Sequence, residues 1–307
     1  MSSTDTYPGL LHSISPPLVA FEHRHNPQSQ ASNTLIFLGG LADGLLTVPY
    51  VPHIQFALPS SWALVETTLS SSYRQFGIAS LGEDVAEIAR LVEYFHTLHP
   101  KGKIVLLGHS TGSQQIMHYS IAPGSRPTID GALFQASASD REALASWLSA
   151  DEYQSACAVA QSYISEGRGE DVLPFEVTAS CFQTAPLSAS RWISLASPGD
   201  HEGEDDYFSS DFDDERLSKI FGELGKTGKR IGFLYSGSDQ YVPSTVDKSK
   251  LVENWHEHVR RGGGIIDEGS GIVRGASHTL KEGGEPLENL VGRVIGFLER
   301  LEKEDKS

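Results

Sequence analysis

An uninterrupted aliphatic run, Ile104 to Leu107 in "KIVLLGH", passes straight into Gly108-His109-Ser110-Thr111-Gly112 and then into "SQQIMHYSI". A run that is apolar at every position fits a strand covered on both faces, not the alternating strand of a sheet with one wet side. After the turn, Ile116 and Met117 give the next segment a buried side, so it reads as a helix. Burial on two faces calls for helices above and below a mainly parallel sheet.

The rest of the chain keeps this pattern. Strand-like runs start at Leu18 ("LVAFEHR"), Thr34 ("TLIFLGG"), Trp62 ("WALVETTL"), Lys103, Gly131 ("GALFQAS") and Arg230 ("RIGFLYSG"), each bounded by turn residues. Between them, "LGEDVAEIARLVEYFHTL" repeats Val85, Ile88, Leu91, Val92 and Phe95 at the three-and-four spacing of a helix. "EPLENLVGRVIGFLERLEK" does the same with Leu287, Leu290, Val291, Val294, Ile295 and Leu298. That last stripe is expected to close the sheet's final face.

A chain of 307 residues has room for one large domain with an insertion. The alternation stops between about Asp140 and Lys229, where short amphipathic stretches precede the acid-rich "GDHEGEDDYFSSDFDDERL". Residues 1–307 are therefore read as a single α/β domain, with residues 140–229 inserted as a lid or cap, part helix and part loop, over one end of the sheet. The ordinary expectation for the acidic run is a solvated surface. A net charge of −16 disfavours nucleic acid, which needs clustered Lys and Arg; neutral or cationic ligands are easier to accommodate. The first residues, "MSSTDTYPGLLHSISPPLVAFEHR", are broken by Pro and polar groups and offer no secretory signal, and no segment approaches the roughly 18 apolar residues of a membrane span. The expectation is a cytoplasmic protein without membrane contact. Cys157 and Cys181 are the only cysteines, too few for a disulfide framework, and whether they pair stays open.

A Gly-x-Ser-x-Gly match means little by itself in a chain with 30 glycines; its context carries the meaning. A serine at the tip of a strand-turn-helix junction adopts a strained backbone, and the residues two before and two after it must be nearly without side chains. Gly108 and Gly112 meet both demands, and Ser110 is the expected nucleophile. A serine hydroxyl needs a base and the base needs an orienting acid, in the chain order Ser, acid, His. His278, in the Gly/Ser loop of "GIVRGASH" before the closing helix, is the expected base. His256 and His258 read as solvated imidazoles on an exposed helix, and His201 lies in the acidic insertion. Asp239 follows the strand "RIGFLYSG" and is the expected acid; Asp140 in "QASASDRE" is the alternative, more naturally read as a helix N-cap. The oxyanion hole should pair the Thr111 amide with that of Leu41, in "FLGGLADGL", where Gly39 and Gly40 let the backbone approach substrate. His23 and His25 in "EHRH" share a strand face, but no third metal ligand is evident. No nucleotide fingerprint is present, so neither a cofactor nor a resident metal is expected.

"LGGLADGL", "LLGHSTGSQ", "QASASDRE", "DYFSSDFDDE", "YSGSDQYVP" and "GASHTL" together resemble a fungal family of α/β-hydrolases that contains the siderophore esterases acting on fusarinine-type ferric siderophores. The resemblance runs from about Thr34 to the last helix. It implies that Ser110 attacks an ester, that His278 is base and then acid, and that Asp239 orients it. It also implies that iron arrives only with the substrate and is released inside the cell once the ester links are cut. Many lipases begin the oxyanion loop with His-Gly, where this chain has Leu38 and Gly39. Fusarinine C carries free amines and its triacetylated relative does not. Glu202, Glu204, Asp205, Asp206, Asp211, Asp213 and Asp214, if they border the pocket, would favour the amine-bearing compound. A generic carboxylesterase or thioesterase, or a non-catalytic binding protein on the same fold, are the alternatives.

Overall fold

The computed structural model describes residues 6–24, 31–183 and 185–304. Its sheet contains β1 (Gly9–Ser15), β2 (Leu18–His23), β3 (Asn33–Leu38), β4 (Trp62–Thr68), β5 (Ile104–His109), β6 (Gly131–Gln135), β7 (Arg230–Ser236), β8 (Ile265–Ile266) and β9 (Gly271–Val273). The order is β1-β2-β4-β3-β5-β6-β7-β8, with β9 also paired to β7. β2 runs antiparallel to β1 and β4; from β4 through β8 the pairing is parallel. All six expected strands form. β1 lacks an apolar run because it is an edge strand, with Leu10 and Leu11 exposed, and β8 is too short to leave a periodic trace.

β3, β5 and β6 are buried along their whole length, and their side chains alternate between two cores. Ile36 and Leu38 enter one core, with Val85, Ile88 and Phe95 of α1 (Leu81–Leu98), Ile116 and Met117 of α2 (Thr111–Ile121), and Trp255 of a later helix. Leu35 and Phe37 enter the other, against the short helix Val51–Ala57 and the C-terminal helix Gly284–Glu304. α1 starts at Ser80, whose hydroxyl accepts from the Glu83 amide while Glu83 reaches back to the Ser80 amide, which satisfies two of the helix's free donors. Strand order reverses around β3: the sheet grows to β4 and β2 on one side and to β5 and β6 on the other. Leu38 thus pairs beside Gly108, and the loops that leave these two strand ends face each other across a crevice.

Between β6 and β7 the chain builds α3 (Asp140–Trp147), α4 (Ala150–Ser165) and α5 (Ala189–Ala196). They share a third core, in which Trp192 packs with Leu144, Cys157, Ala160 and Leu195, and with Phe76 from the segment after β4. Cys157 and Cys181 are free thiols, and Cys157 Sγ accepts from Trp192 Nε1 at 3.5 Å.

The acid-rich stretch is the solvated surface its composition suggests at Glu202, Asp211, Asp213 and Asp214, but not in its middle. Asp205 and Asp206 are buried. Asp205 Oδ2 accepts from Arg191 Nη1 and Ser194 Oγ, both at 2.5 Å, and Asp206 Oδ2 from Ser197 Oγ at 2.9 Å and His201 Nδ1 at 2.8 Å. Glu204 accepts from the Leu81 amide at 3.1 Å, which ties this stretch to the start of α1. Arg141 bonds Asp211, and Asp213 caps the short helix that follows it. Asp205 and Asp206 hold the segment together from inside, while Glu202, Asp211, Asp213 and Asp214 are exposed. Removing its largest buried side chain, Trp192→Ala, is expected to cost about 3–5 kcal/mol, measured by urea unfolding.

Candidate active site

Ser110 stands at the β5–α2 junction with φ 53° and ψ −119°, in the left-handed region that a residue with a side chain enters only under constraint. The constraint is close packing. A Cβ on Gly108 would lie 2.4 Å from the Gly112 backbone, and one on Gly112 would lie 2.3 Å from the Leu38 carbonyl oxygen. Only glycine at both positions lets the strand, the turn and the helix come this close. Ser110 N–H donates to Gln135 O at 2.9 Å, and Ser113 N–H to Ser110 O at 2.8 Å. α2 therefore begins directly beneath Ser110, with the positive end of its backbone dipole there.

The loop after β3 lies over the same point. A Cβ on Gly40 would stand 2.8 Å from Ser110 Cβ, so the loop passes within contact distance of the serine. Gly40 N–H donates to Asp43 Oδ2 at 2.8 Å, and Asp43 Oδ1 accepts from Thr47 Oγ1 at 2.8 Å. Asp43 thereby takes up the Gly40 amide and leaves Leu41 as the next amide along the loop. Sequence reasoning passed over Asp43; its place in the Ala-Asp-Gly turn is the signal that marks it as a loop organiser.

Asp239 and His278 come from loops that follow β7 and β9. His278 Nδ1 lies 2.7 Å from Asp239 Oδ2, and both residues are buried. A carboxylate oxygen can only accept, so Nδ1 carries the proton and the lone pair is on Nε2. Several bonds lace the two loops together. Gly237 N–H donates to Val273 O at 3.0 Å, Ser238 N–H to Ala276 O at 2.8 Å, and His278 N–H to Gln240 Oε1 at 3.1 Å. Asp239 Oδ1 is taken by the Tyr241 amide at 3.0 Å, and the Tyr241 ring stands edge-on to His278 at 4.6 Å.

Gln135, at the end of β6, links these parts, and nothing in its sequence neighbourhood announces it. Its backbone carbonyl holds Ser110. Its side-chain oxygen accepts from His109 Nδ1 at 2.6 Å and Tyr50 Oη at 2.8 Å, and its side-chain nitrogen donates to Ser236 Oγ at 3.0 Å and to the His278 carbonyl at 3.5 Å. The His109 ring is 4.9 Å from that of His278. Burial, and then the neighbouring His278, push His109 down to about 4, so it is neutral at ordinary pH.

The other candidates are placed elsewhere. Asp140 lies at the first turn of α3, but Ser139 is the cap, accepting from the Glu142 amide. Asp140 Oδ2 accepts from Gln114 Nε2 at 2.9 Å, and Asp239, not Asp140, bonds His278. His256 and His258 are on a helix, as expected, but they are buried, not solvated. The i, i+3, i+4, i+7 row Val252, Trp255, His256, Val259 turns inward. His256 Nε2 meets Ser270 Oγ at 2.8 Å, and His258 Nδ1 meets Ser218 Oγ at 3.1 Å. His201 is bonded to Asp206. His23 pairs with Glu66 at 2.6 Å, and His25 lies outside the described residues. Among the described residues no group of three His, Cys, Asp or Glu side chains is assembled for a metal, and no helix is long and apolar enough to cross a membrane.

Residues 1–299 match the family described as "Protein of unknown function (DUF1749)". The chain belongs to that family. It is 37% identical to the fusarinine C esterase sidJ of Aspergillus fumigatus, over 96% of this chain and 97% of that protein. It is 36% identical to Esterase AN6793 of Emericella nidulans, over 98% and 94%. The solved structure of siderophore hydrolase EstB from Aspergillus fumigatus superposes with a TM-score of 0.85 at 36% identity, covering 97% of this chain and 98% of that one. With these relatives and this sheet, the chain is an α/β-hydrolase and a carboxylic ester hydrolase.

Two measurements probe this esterase's site. Gly40→Ala puts a methyl group against Ser110 and is expected to lower kcat/KM for a short-chain ester by about 10²–10³, with the melting temperature little changed. Asp140 is pushed up to about 7, first by burial and then by the charge of Asp205. A carboxyl raised in the folded state binds its proton more tightly there, so its contribution to stability falls as pH climbs from its unfolded value near 4 through 7. Asp140→Asn, always neutral, should therefore raise the melting temperature at pH 8 more than at pH 4 in calorimetry.

Proposed function

We propose that this ester hydrolase cuts ester bonds of fusarinine-type ferric siderophores, fusarinine C foremost, through an acyl-enzyme on Ser110, and that it acts in the cytoplasm, where hydrolysis loosens the ligand's hold on iron. The observation that supports this reading best is the strained Ser110 at a glycine-cleared elbow, in one site with the Asp239–His278 pair at 2.7 Å, in a chain 37% identical to a fusarinine C esterase.

In this mechanism Ser110 Oγ attacks the ester carbonyl while His278 Nε2 takes its proton. The carbonyl oxygen gains negative charge and is met by the Leu41 and Thr111 amides at the positive end of α2. Asp239 stabilises the imidazolium through Nδ1. Neutral His109 adds no like charge beside it. The intermediate then collapses, and His278 gives its proton to the departing alcohol oxygen. Water then attacks the acyl carbon as His278 takes its proton, and His278 returns that proton to Ser110 Oγ as the acid leaves. Iron is cargo throughout and takes no part in these steps, and no cofactor is called for.

Two comparisons test the reading. A fluorophosphonate should label the wild type and leave Ser110→Ala unlabelled; labelling that survives the substitution would place the nucleophile elsewhere. Incubated with ferric fusarinine C, its triacetylated form and short-chain esters, with products followed by mass, the wild type should open a siderophore and Ser110→Ala should not. Activity confined to the simple esters would remove the siderophore from the reading and leave the serine chemistry standing.

A further inference from the structure

At the end of the sheet opposite Ser110, β6 and β7 start side by side, with Ala132 paired to Ile231. These two residues lie at the floor of a cavity of about 260 Å³, close to the lower end of the volumes that hold small organic ligands. Ile129, from the loop after α2, adds a third aliphatic side chain, and all three are buried. The cavity is separate from the ester site. Ser110 precedes the first turn of α2 and Tyr119, on the cavity wall, stands in its last, so a helix about 15 Å long lies between them.

The charge of the wall runs against that of the chain. The protein carries a net charge of −16, yet the described residues that line this cavity include Arg126 and Lys229 and no Asp or Glu. Arg126 comes from the loop after α2 and Lys229 from the turn before β7, and both are half-buried. Neither makes an ion pair among the described residues. Arg126 Nη1 and Nη2 donate to the carbonyls of Ala122 and Pro123 at 2.7 and 3.1 Å, which hold the guanidinium in place without cancelling its charge. Two cations without a counter-ion, at the edge of an aliphatic floor, draw an anion.

The hydroxyls on the wall narrow the choice. Tyr119 Oη donates to the Pro127 carbonyl at 2.5 Å, Ser120 Oγ to that of Ile116 at 2.7 Å and Thr227 Oγ1 to that of Leu224 at 2.7 Å. Each has given its one proton inside the protein, and the charged donors left for a ligand are Lys229 Nζ and the rest of the Arg126 guanidinium. They suit the paired oxygens of a carboxylate. A phosphate would keep further charged oxygens unmet against the aliphatic floor, which is costly.

We infer that this cavity binds a small monocarboxylate, its apolar body on Ile129, Ala132 and Ile231 and its oxygens on Arg126 and Lys229. A neutral molecule of the same shape gains the same apolar contact but no charge-assisted hydrogen bonds, so charge decides selection here. The site uses no part of the ester chemistry and is independent of it.

The probes are para-trifluoromethylbenzoate and the matching benzyl alcohol, titrated into the full chain near neutral pH and followed by fluorine NMR. The wild type is expected to bind the acid about tenfold or more tighter than the alcohol. In the double variant Arg126→Gln, Lys229→Gln that ratio should fall towards one, with turnover of a short-chain ester unchanged. Should the double variant fail to fold, Lys229→Gln alone decides by a smaller fall in the same ratio. Equal binding of the two probes by the wild type, or no binding of either, overturns the inference. So does a ratio unmoved in the variants, which places the carboxylate elsewhere on the protein, the ester site included.

Discussion

The approach of α2 to the end of β3 is the contact on which the rest of the site depends. Gly112 sits so close to the Leu38 carbonyl that no Cβ fits between them, and Gly108 is as close to Gly112. With both side chains absent, the helix starts directly under the strand end and the backbone at Ser110 is forced to positive φ. The same proximity brings the Gly39-Gly40-Leu41 loop over the serine. A bulkier residue at either glycine would separate these parts at once, because each is positioned by contact with the other and not by a tether of its own.

Strain of this kind persists only where the surroundings over-determine it, and Gln135 is much of that surrounding. One buried side chain and its carbonyl touch the Ser110 amide, His109, Tyr50, Ser236 and the backbone of His278. These groups come from four separate stretches of chain. Every donor and acceptor of the Gln135 amide is used, and a fully satisfied buried network resists distortion in a way that a partly satisfied one does not. The Asp239–His278 pair is fixed by a second set of backbone bonds between the loops after β7 and β9, so Ser110 and His278 rest on frames joined through β6.

Two carboxylates of the inserted segment, Asp205 and Asp206, are spent inward. Arg191 crosses from α5 to Asp205 and also donates to the Phe76 carbonyl at 2.9 Å, which binds the insertion to the segment after β4. Asp140 and Asp84 lie at the edge of the same network, and burial raises both, to about 7 and about 6. The chain's large negative charge is thus partly an internal feature, held by hydrogen bonds and one buried guanidinium.

Much of the fold was legible in the sequence because its signals are local. Continuous apolar runs mark strands covered on both faces, three-and-four spacing marks the helices, and two glycines flanking Ser110 mark a turn that only they can make. The places of Ser110 and Asp239 were legible for the same reason, since each follows a recognisable strand. Even the inward row of Val252, Trp255, His256 and Val259 was written in its spacing, although the two histidines read as solvated. What the tertiary structure decided is pairing between distant segments. That His278 meets Asp239 and not Asp140, that Gln135 bonds four other stretches, and that Asp205 and Asp206 are buried all depend on which strand ends and helix starts adjoin. A sequence shows the period of each segment, but a buried hydrogen bond is set by distances across the sheet, and those exist only once the chain has closed on itself.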